Sequence, residues 1–334
     1  MRLAFGLLLV FLAAPISAAD QWPYETECRK WADVAIPQQD IGTAPEDCDT
    51  RALYYGDDGH GRGRDDAAAR QCAYRMRAAG NDDAFDGSGV LMMLYANGRS
   101  VARNIPLAKR FACEYESAPA EVEGRLTHLD AIAEGTDKAP LDICDDITSG
   151  MMGGVCAARD ADFARVIRSE RWAALQANWT PAQRSALAAL HKAADAYFDS
   201  ASGNEEDMSG TARGALAVDA YERLDIALLR DVERFETGIR PDEKAADFPA
   251  ADKALNAAYR HTLAALDAGK GDSAFGEYGT IRSEGVRETE RLWLRYRDAW
   301  VAFAATRYPD TAANAWRAWL SRARARALSE IAGP

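Results

Sequence analysis

Aromatic and apolar side chains alternate at steps of three and four residues over 286–303, and this spacing most constrains the fold. Residues with this spacing lie on one face of a helix. The spacing is typical of the a and d positions that form the seam between packed helices. The seam residues are Val286, Thr289, Trp293, Tyr296, Trp300 and Phe303. Because a helix cannot bury such a seam alone, the pattern predicts packing against other helices.

Two neighbouring stretches carry similar apolar stripes. One contains Leu255, Tyr259, Thr262 and Leu266, and the other contains Trp316, Trp319, Ala323, Ala327 and Ile331. Three such helices predict a small antiparallel bundle over 241–334. Burial of each large apolar side chain contributes roughly 1.5 to 3 kcal/mol, so we expect these residues to serve folding first.

Two short patterns in this region resemble a known family. Asp252, Leu255, Asn256 and Tyr259 form D-x-x-L-N-x-x-Y, and Trp293, Tyr296, Arg297 and Asp298 form W-x-x-Y-R-D. In this order they resemble the lysozyme inhibitor LprI-like family, over about the last quarter of the chain. Glu290 stands where that family usually has glutamine, and Trp300 where it commonly has cysteine. The resemblance implies a helical domain that binds a protein, with lysozyme-type hydrolases as the specific partner.

The candidate binding residues can be interpreted in two ways. They are Asp252, Asn256, Tyr259, Trp293, Tyr296, Arg297 and Asp298. As structural residues, the aromatic members form bundle core and the polar members form a buried clasp between two helices, since buried polar groups need partners. As functional residues, they belong to a contact surface.

The first 19 residues have the composition of a secretory signal peptide. Arg2 is followed by an apolar run from Leu3 to Ala14 and by small residues, so cleavage is expected after Ala18 or Ala19. No cysteine directly follows that site, which argues against a lipid anchor. No other apolar run has the length of a membrane span. The sequence therefore predicts a periplasmic or secreted protein.

All cysteines lie in the first half of the chain. An even number in an exported protein predicts disulfides, and six cysteines allow about 15 pairings. Chain order suggests Cys28 with Cys48, Cys72 with Cys113, and Cys144 with Cys156. Since C-x-x-C is missing and the histidines are scattered, neither a metal site nor another cofactor is predicted.

A faint internal repeat lies within 20–159. LYYG from Leu53 and LYANG from Leu94, about 41 residues apart, each precede a turn, a capping residue (Asp65 or Asp66, then Asn104) and an Ala-rich helix. These units resemble Sel-one-like repeats, which implies a protein-binding helical region. The Gly-rich stretch 141–159 is expected to be a disulfide-stapled connection of turns, with a functional clamp as the alternative.

The region 160–240 is predicted to be helical. Thr180, Pro181 and Gln183 give a helix start with a capping box. The acidic loop 203–210 is expected to be a solvated turn, with a docking site as the alternative. The late basic run of Arg317, Arg322, Arg324 and Arg326 winds around its helix and is expected to be a solvated face.

Charge and motif content limit the functional classes. The formal net charge is −12, which disfavours nucleic-acid and anionic-membrane partners and favours a cationic partner such as a lysozyme. Nucleophile, zinc-protease and phosphate-loop motifs are missing, so no catalytic residue is assigned. Non-catalytic protein binding is the leading hypothesis. The alternatives are a cell-envelope scaffold acting through the Sel-one-like region and a peptidoglycan hydrolase using paired carboxylates.

Overall fold

The structure is a computed structural model that describes residues 23–57, 59–80, 83–269 and 278–332. The predicted signal peptide lies outside these residues. The described ranges contain thirteen α-helices and a short 3₁₀ turn over 245–247, which confirms the all-α fold. The helices of the first half are α1 (Pro23–Trp31), α2 (Gln38–Ile41), α3 (Thr50–Tyr55), α4 (Asp66–Ala78), α5 (Gly87–Asn97), α6 (Ile105–Glu114) and α7 (Pro119–Glu134).

The second half is built from longer helices. They are α8 (Gly150–Gln176), α9 (Pro181–Asn204), α10 (Arg213–Glu236), α11 (Phe248–Ala268), α12 (Ser283–Arg307) and α13 (Ala313–Ala332). No helix within the described ranges combines the length and apolar content needed to cross a membrane.

Helices α1 to α7 surround one hydrophobic core, with α5 buried on almost every side. The two halves of the predicted repeat share a glycine after the first helix and a side-chain cap on the second, although the two glycines differ in ψ, 168° at Gly56 and 37° at Gly98. Gly56 and Gly98 follow α3 and α5 with positive φ, which glycine adopts at little cost. The side chains of Asp65 and Asn104 then accept backbone N–H groups and cap α4 and α6.

Two disulfides lie within this half and a third joins it to α8, and two of the pairings expected from chain order are wrong. Cys28 pairs with Cys113 and Cys48 with Cys72, while Cys144 pairs with Cys156 as expected. The reason is the position of α1, which packs against α6 and brings Cys28 beside Cys113. Nearness in space, not in sequence, therefore decides the pairing.

The expectation of a loop over the Gly-rich stretch is also wrong from Gly150 onward, because α8 begins there with Ser149 as its N-cap. A Cβ on Gly150 would lie 2.2 Å from the backbone carbonyl of Thr211, and one on Gly154 would lie 3.3 Å from Cα of Gly214. The glycines thus let the start of α8 cross the start of α10 backbone against backbone.

Helix α8 connects the two cores. Phe163 packs against the first-half core, whereas Trp172 belongs to the core of α9 to α13. The second core contains residues of both the 160–240 and the 241–334 regions. Paired residues along α8 and α10, Gly154 with Gly214 and Arg168 with Glu222, show that these helices run in the same direction.

The seam of α12 is buried as the spacing predicts, since each of its six residues is at most 9% exposed. Its main partner is α9, outside the three predicted bundle helices. Ser200 contacts Thr289, and Trp179 contacts Phe303, so α9 and α12 are antiparallel. Helix α11 packs along α13. The closing helices are therefore part of a larger bundle that also uses α8, α9 and α10.

Helix α13 differs from the sequence prediction in its buried face. Trp316, Leu320 and Leu328 are buried, whereas Trp319 and Ile331 are only partly buried. Arg324 lies on the buried face with no exposed side-chain area. The expectation that the basic run is a solvated face is therefore wrong at Arg324.

Candidate functional site

The order of packing leaves a groove between α11 and α12. Since α11 packs mainly along α13 and α12 along α9, the two helices do not close on each other over their full length. The groove has a volume of about 280 Å³. We call it the α11–α12 groove. It is lined by Asp252, Leu255, Asn256, Tyr259, Arg287, Glu290, Arg291 and Leu294.

Three of the predicted site residues line this groove. Asp252, Asn256 and Tyr259 lie on one face of α11 at i, i+4 and i+7. Asn256 donates from Nδ2 to the backbone oxygen of Asp252 at 2.8 Å and to its carboxylate at 3.1 Å. Partial burial raises the pKa of Tyr259, and the negative charge of Glu290 raises it further. The positive charges of Arg287 and Arg291 lower it.

The predicted aromatic residues lie in the core. Trp293 is 2% exposed, and Tyr296 accepts a hydrogen bond from Nε1 of Trp300 at 2.7 Å. Trp300 is stacked on Trp316 with 6.0 Å between ring centroids. Trp300 is thus part of a close aromatic cluster in the core.

The polar candidates do not form the interhelical clasp. Arg297 binds the adjacent Asp298 at 3.0 Å and lies over the ring of Trp293, while the Asp298 side chain is 62% exposed. On α11, Asp252 and Asn256 bind each other. Each pair is satisfied within its own helix, so the clasp interpretation is wrong for these residues.

The buried polar link of this region is formed by residues that sequence reasoning did not assign. Nε of Arg324 donates to Glu290 at 2.9 Å, and its two terminal nitrogens bind Glu205 at 2.7 and 2.5 Å. Tyr197 lies 3.4 Å from the same guanidinium. Glu290 and Glu205 therefore share one buried arginine.

Sequence reasoning also did not assign the α12 side of the groove. Arg287, Arg291 and Leu294 line it, and Leu294 is 38% exposed. The sequence did contain one indication of this side of the groove. Leu294 is an apolar residue on the charged face of α12, close to arginines that are spaced four residues apart. That signal is weak, since single exposed apolar residues are common on protein surfaces.

A second cavity of about 560 Å³ lies beside the acidic loop, between the end of α9, α10 and the end of α13. Asp207 accepts hydrogen bonds from the hydroxyl and backbone N–H of Ser209 and from the backbone N–H of Thr280 at 2.9 Å. These bonds lower its pKa to about 2. Glu206 binds Arg223. The loop carboxylates are thus occupied by contacts within the chain.

Fold and groove together define an all-α, disulfide-stapled protein with an open groove between two helices. No family model, curated protein or solved structure matches the chain.

Proposed function

We propose that this chain is a non-catalytic protein-binding module of the cell envelope that engages its partner through the α11–α12 groove. The observation that carries the proposal is the position of Asp252, Asn256 and Tyr259 on the wall of an open groove. A concave site with an apolar base and a few polar groups at its rim is a common form of recognition site.

A lysozyme-type hydrolase is the first partner to test. The resemblance of the two α11 and α12 patterns to the lysozyme inhibitor LprI-like family suggests it. The net charge of −12 adds long-range attraction for a cationic protein. This attraction affects the rate of encounter more than the final contacts.

Three buried or half-buried glutamates are held by cations of neighbouring helices. Glu205 and Glu290 are both held by Arg324. Glu236 accepts from Arg307 and from the hydroxyl of Tyr308 at 2.8 Å. A glycosidase needs two carboxyl groups facing its substrate, whereas these groups face cations of neighbouring helices.

A periplasmic or secreted location is part of the proposal. Three disulfides are stable in an oxidising compartment and are rare in the cytosol. The signal-peptide pattern of the first 19 residues suggests the route of export.

The proposal is tested by mixing the purified mature protein with c-type, g-type and i-type lysozymes and measuring turnover of cell walls. We expect inhibition of at least one class, and we expect Leu294→Asp to abolish it. Ile239→Asp is the matched control, since Ile239 is an exposed aliphatic residue away from the groove. Full turnover of every class at large excess of protein would contradict the lysozyme proposal. A cleared zone on a peptidoglycan zymogram would contradict a non-catalytic role.

A scaffold acting through the Sel-one-like region is the second candidate. The side-chain caps of α4 and α6, formed by Asp65 and Asn104, favour it, because stacked helix pairs commonly bind proteins. Photo-crosslinking distinguishes the two. A crosslinker at Arg103, in the α5–α6 turn, captures the partner if the scaffold hypothesis holds, and one at Asn256, which lines the groove, captures it if the groove is the contact.

A further inference from the structure

Helix α1 is attached to the first core by one disulfide and by a few partly buried side chains. None of its residues is buried, and within the described ranges its side-chain hydrogen bonds join residues of α1 to each other. Tyr24 and Trp31 pack against the core, and Nζ of Lys109 in α6 lies 4.7 Å from the centroid of the Trp31 ring. The bond between Cys28 and Cys113, which we call the α1 tether, is the covalent link of this helix to α6.

The α1 tether is accessible from solvent. Cys28 and Cys113 are both partly exposed, and both line an open cavity of about 350 Å³ between α1 and α6. Two arginines and two glutamates line the same cavity, so its charges are balanced and do not exclude a thiolate. A small thiol therefore has access to either sulfur of the tether.

Each of the other two disulfides has one buried cysteine. Cys72 has no exposed area and Cys156 is 5% exposed, whereas their partners Cys48 and Cys144 are partly exposed. Thiol–disulfide exchange attacks one sulfur and expels the other as a thiolate. Attack at the exposed cysteine of these pairs would expel a thiolate into the protein interior, where burial disfavours it. The α1 tether has no such barrier, because both of its cysteines are partly exposed.

We propose that the α1 tether is a redox-sensitive element, which a dithiol reductant cleaves before the other two disulfides and whose cleavage releases α1 from α6 and α7. A thiolate of the reductant forms a bond to Sγ of one cysteine, the Cys28–Cys113 bond breaks, and the expelled sulfur takes up a proton. The second thiol of the reductant loses its proton and attacks the mixed disulfide, which frees the other cysteine as a thiolate that is then protonated. The dithiol is thereby oxidised to a disulfide, and the tether is reduced to two thiols.

Release of α1 changes the surface of the first half of the chain. Lys109 is 3% exposed, and its amino group lies between the ring of Trp31 and the carboxylate of Asp130. Departure of α1 uncovers this lysine and the adjoining face of α6. The α11–α12 groove takes no part in this change, so each of the two proposals can fail without the other.

Reduction of the full mature chain by limiting dithiothreitol tests the order of cleavage. Samples taken over time are alkylated and mapped by peptide mass spectrometry, which gives the alkylated fraction of each cysteine. We expect Cys28 and Cys113 to be alkylated together, about tenfold faster than the cysteines of the other two pairs, because access limits the rate of exchange. Earlier or equally fast alkylation of either other pair would overturn the inference.

Backbone hydrogen exchange of the same samples tests the release of α1. Its amides should exchange about tenfold faster or more once the tether is reduced, because the helix loses its attachment. The amides of α5 should stay protected, since α5 is buried in the first core. Unchanged exchange of α1 in chains with an alkylated tether would overturn the inference.

Two double variants provide the matched comparison. Cys28→Ser with Cys113→Ser should show fast exchange of α1 without reductant, whereas Cys144→Ser with Cys156→Ser should not, although each variant lacks one disulfide. Loss of α5 protection in a variant would show that its core is unfolded, and the reduced natural chain then decides the outcome.

Discussion

Arg324 and Glu290 form an ion pair in the second core, with 2.9 Å between Nε and the carboxylate, although no side-chain area of Arg324 is exposed. Glu205 binds the other edge of the guanidinium with both oxygens. One arginine of α13 thereby connects the end of α9 to α12. Because a buried charge is costly without partners, this connection strongly favours one arrangement of the three helices.

The two carboxylates should contribute unequally to stability. Glu205→Gln removes the bidentate partner and leaves a buried cation only partly neutralised, so we expect a loss of about 3 kcal/mol. Burial raises the pKa of Glu290 and so already penalises its charged form. Glu290→Gln should therefore cost only about 1 kcal/mol. Urea unfolding of both variants measures this difference. Equal losses of unfolding free energy would contradict the stronger, bidentate binding of Arg324 by Glu205.

Two glycines of α8 should respond in opposite directions to alanine. Gly153 has open space around an added Cβ, so Gly153→Ala should stabilise the protein by about 0.5 to 1 kcal/mol through helix propensity. A Cβ on Gly150 meets the backbone of Thr211, so Gly150→Ala should destabilise it by about 1 kcal/mol or more. Thermal unfolding of both variants tests the close crossing of α8 and α10, and stabilisation by both substitutions would argue against it.

Asp231 should make stability depend on pH. Its burial against the core raises its pKa from 3.8 to about 6, although 33% of the side chain is exposed. The folded state therefore favours the protonated form, and stability is lost as pH rises from about 4 to about 6. Asp231→Asn should be more stable than the natural chain by about 1 kcal/mol near pH 7.5 and equal to it near pH 4.

Asp219→Asn is the control for this measurement. Asp219 is an exposed carboxylate on the same helix, so its variant should follow the natural chain at both pH values. If the advantage of Asp231→Asn persisted near pH 4, its cause would be packing or hydrogen bonding instead of ionisation.

The disulfides should differ in their contribution to stability. Cys28 and Cys113 are 85 residues apart, whereas Cys144 and Cys156 are 12 apart. Constraint of the unfolded chain grows with the length of the closed loop, so Cys28→Ser with Cys113→Ser should cost about 1 to 2 kcal/mol more than the corresponding change at the shorter loop. Guanidinium unfolding of the two double variants provides the comparison. A non-reducing peptide map that linked Cys28 to Cys48 would overturn the pairing.

Features that depend on neighbouring residues were predictable. The burial of Val286, Trp293 and Trp300 follows from spacing along one helix, because the period fixes which side chains share a face. Thr180 and Gln183 form the capping box that their spacing indicates.

Features that depend on distant parts of the chain were not predictable. Gly150 and Gly154 have the composition of a turn, and only the close approach of α10 explains why helical positions carry glycine. The same limit applies to the candidate site, where the α11 residues were assigned from their pattern and the α12 residues were not. The groove exists because α11 packs mainly along α13 and α12 along α9. The residue pattern of α12 alone does not predict that α9 is the helix it packs against.

From the sequence alone came the all-α class, the buried seam of α12 and the expectation of disulfides, since each depends on residue type and local spacing. Only the tertiary structure shows that Cys28 pairs with Cys113, that Arg324 is buried between Glu205 and Glu290, and that a groove lies between α11 and α12. The physical reason is that these contacts join helices far apart in the chain, where the packing of whole apolar faces determines which side chains meet.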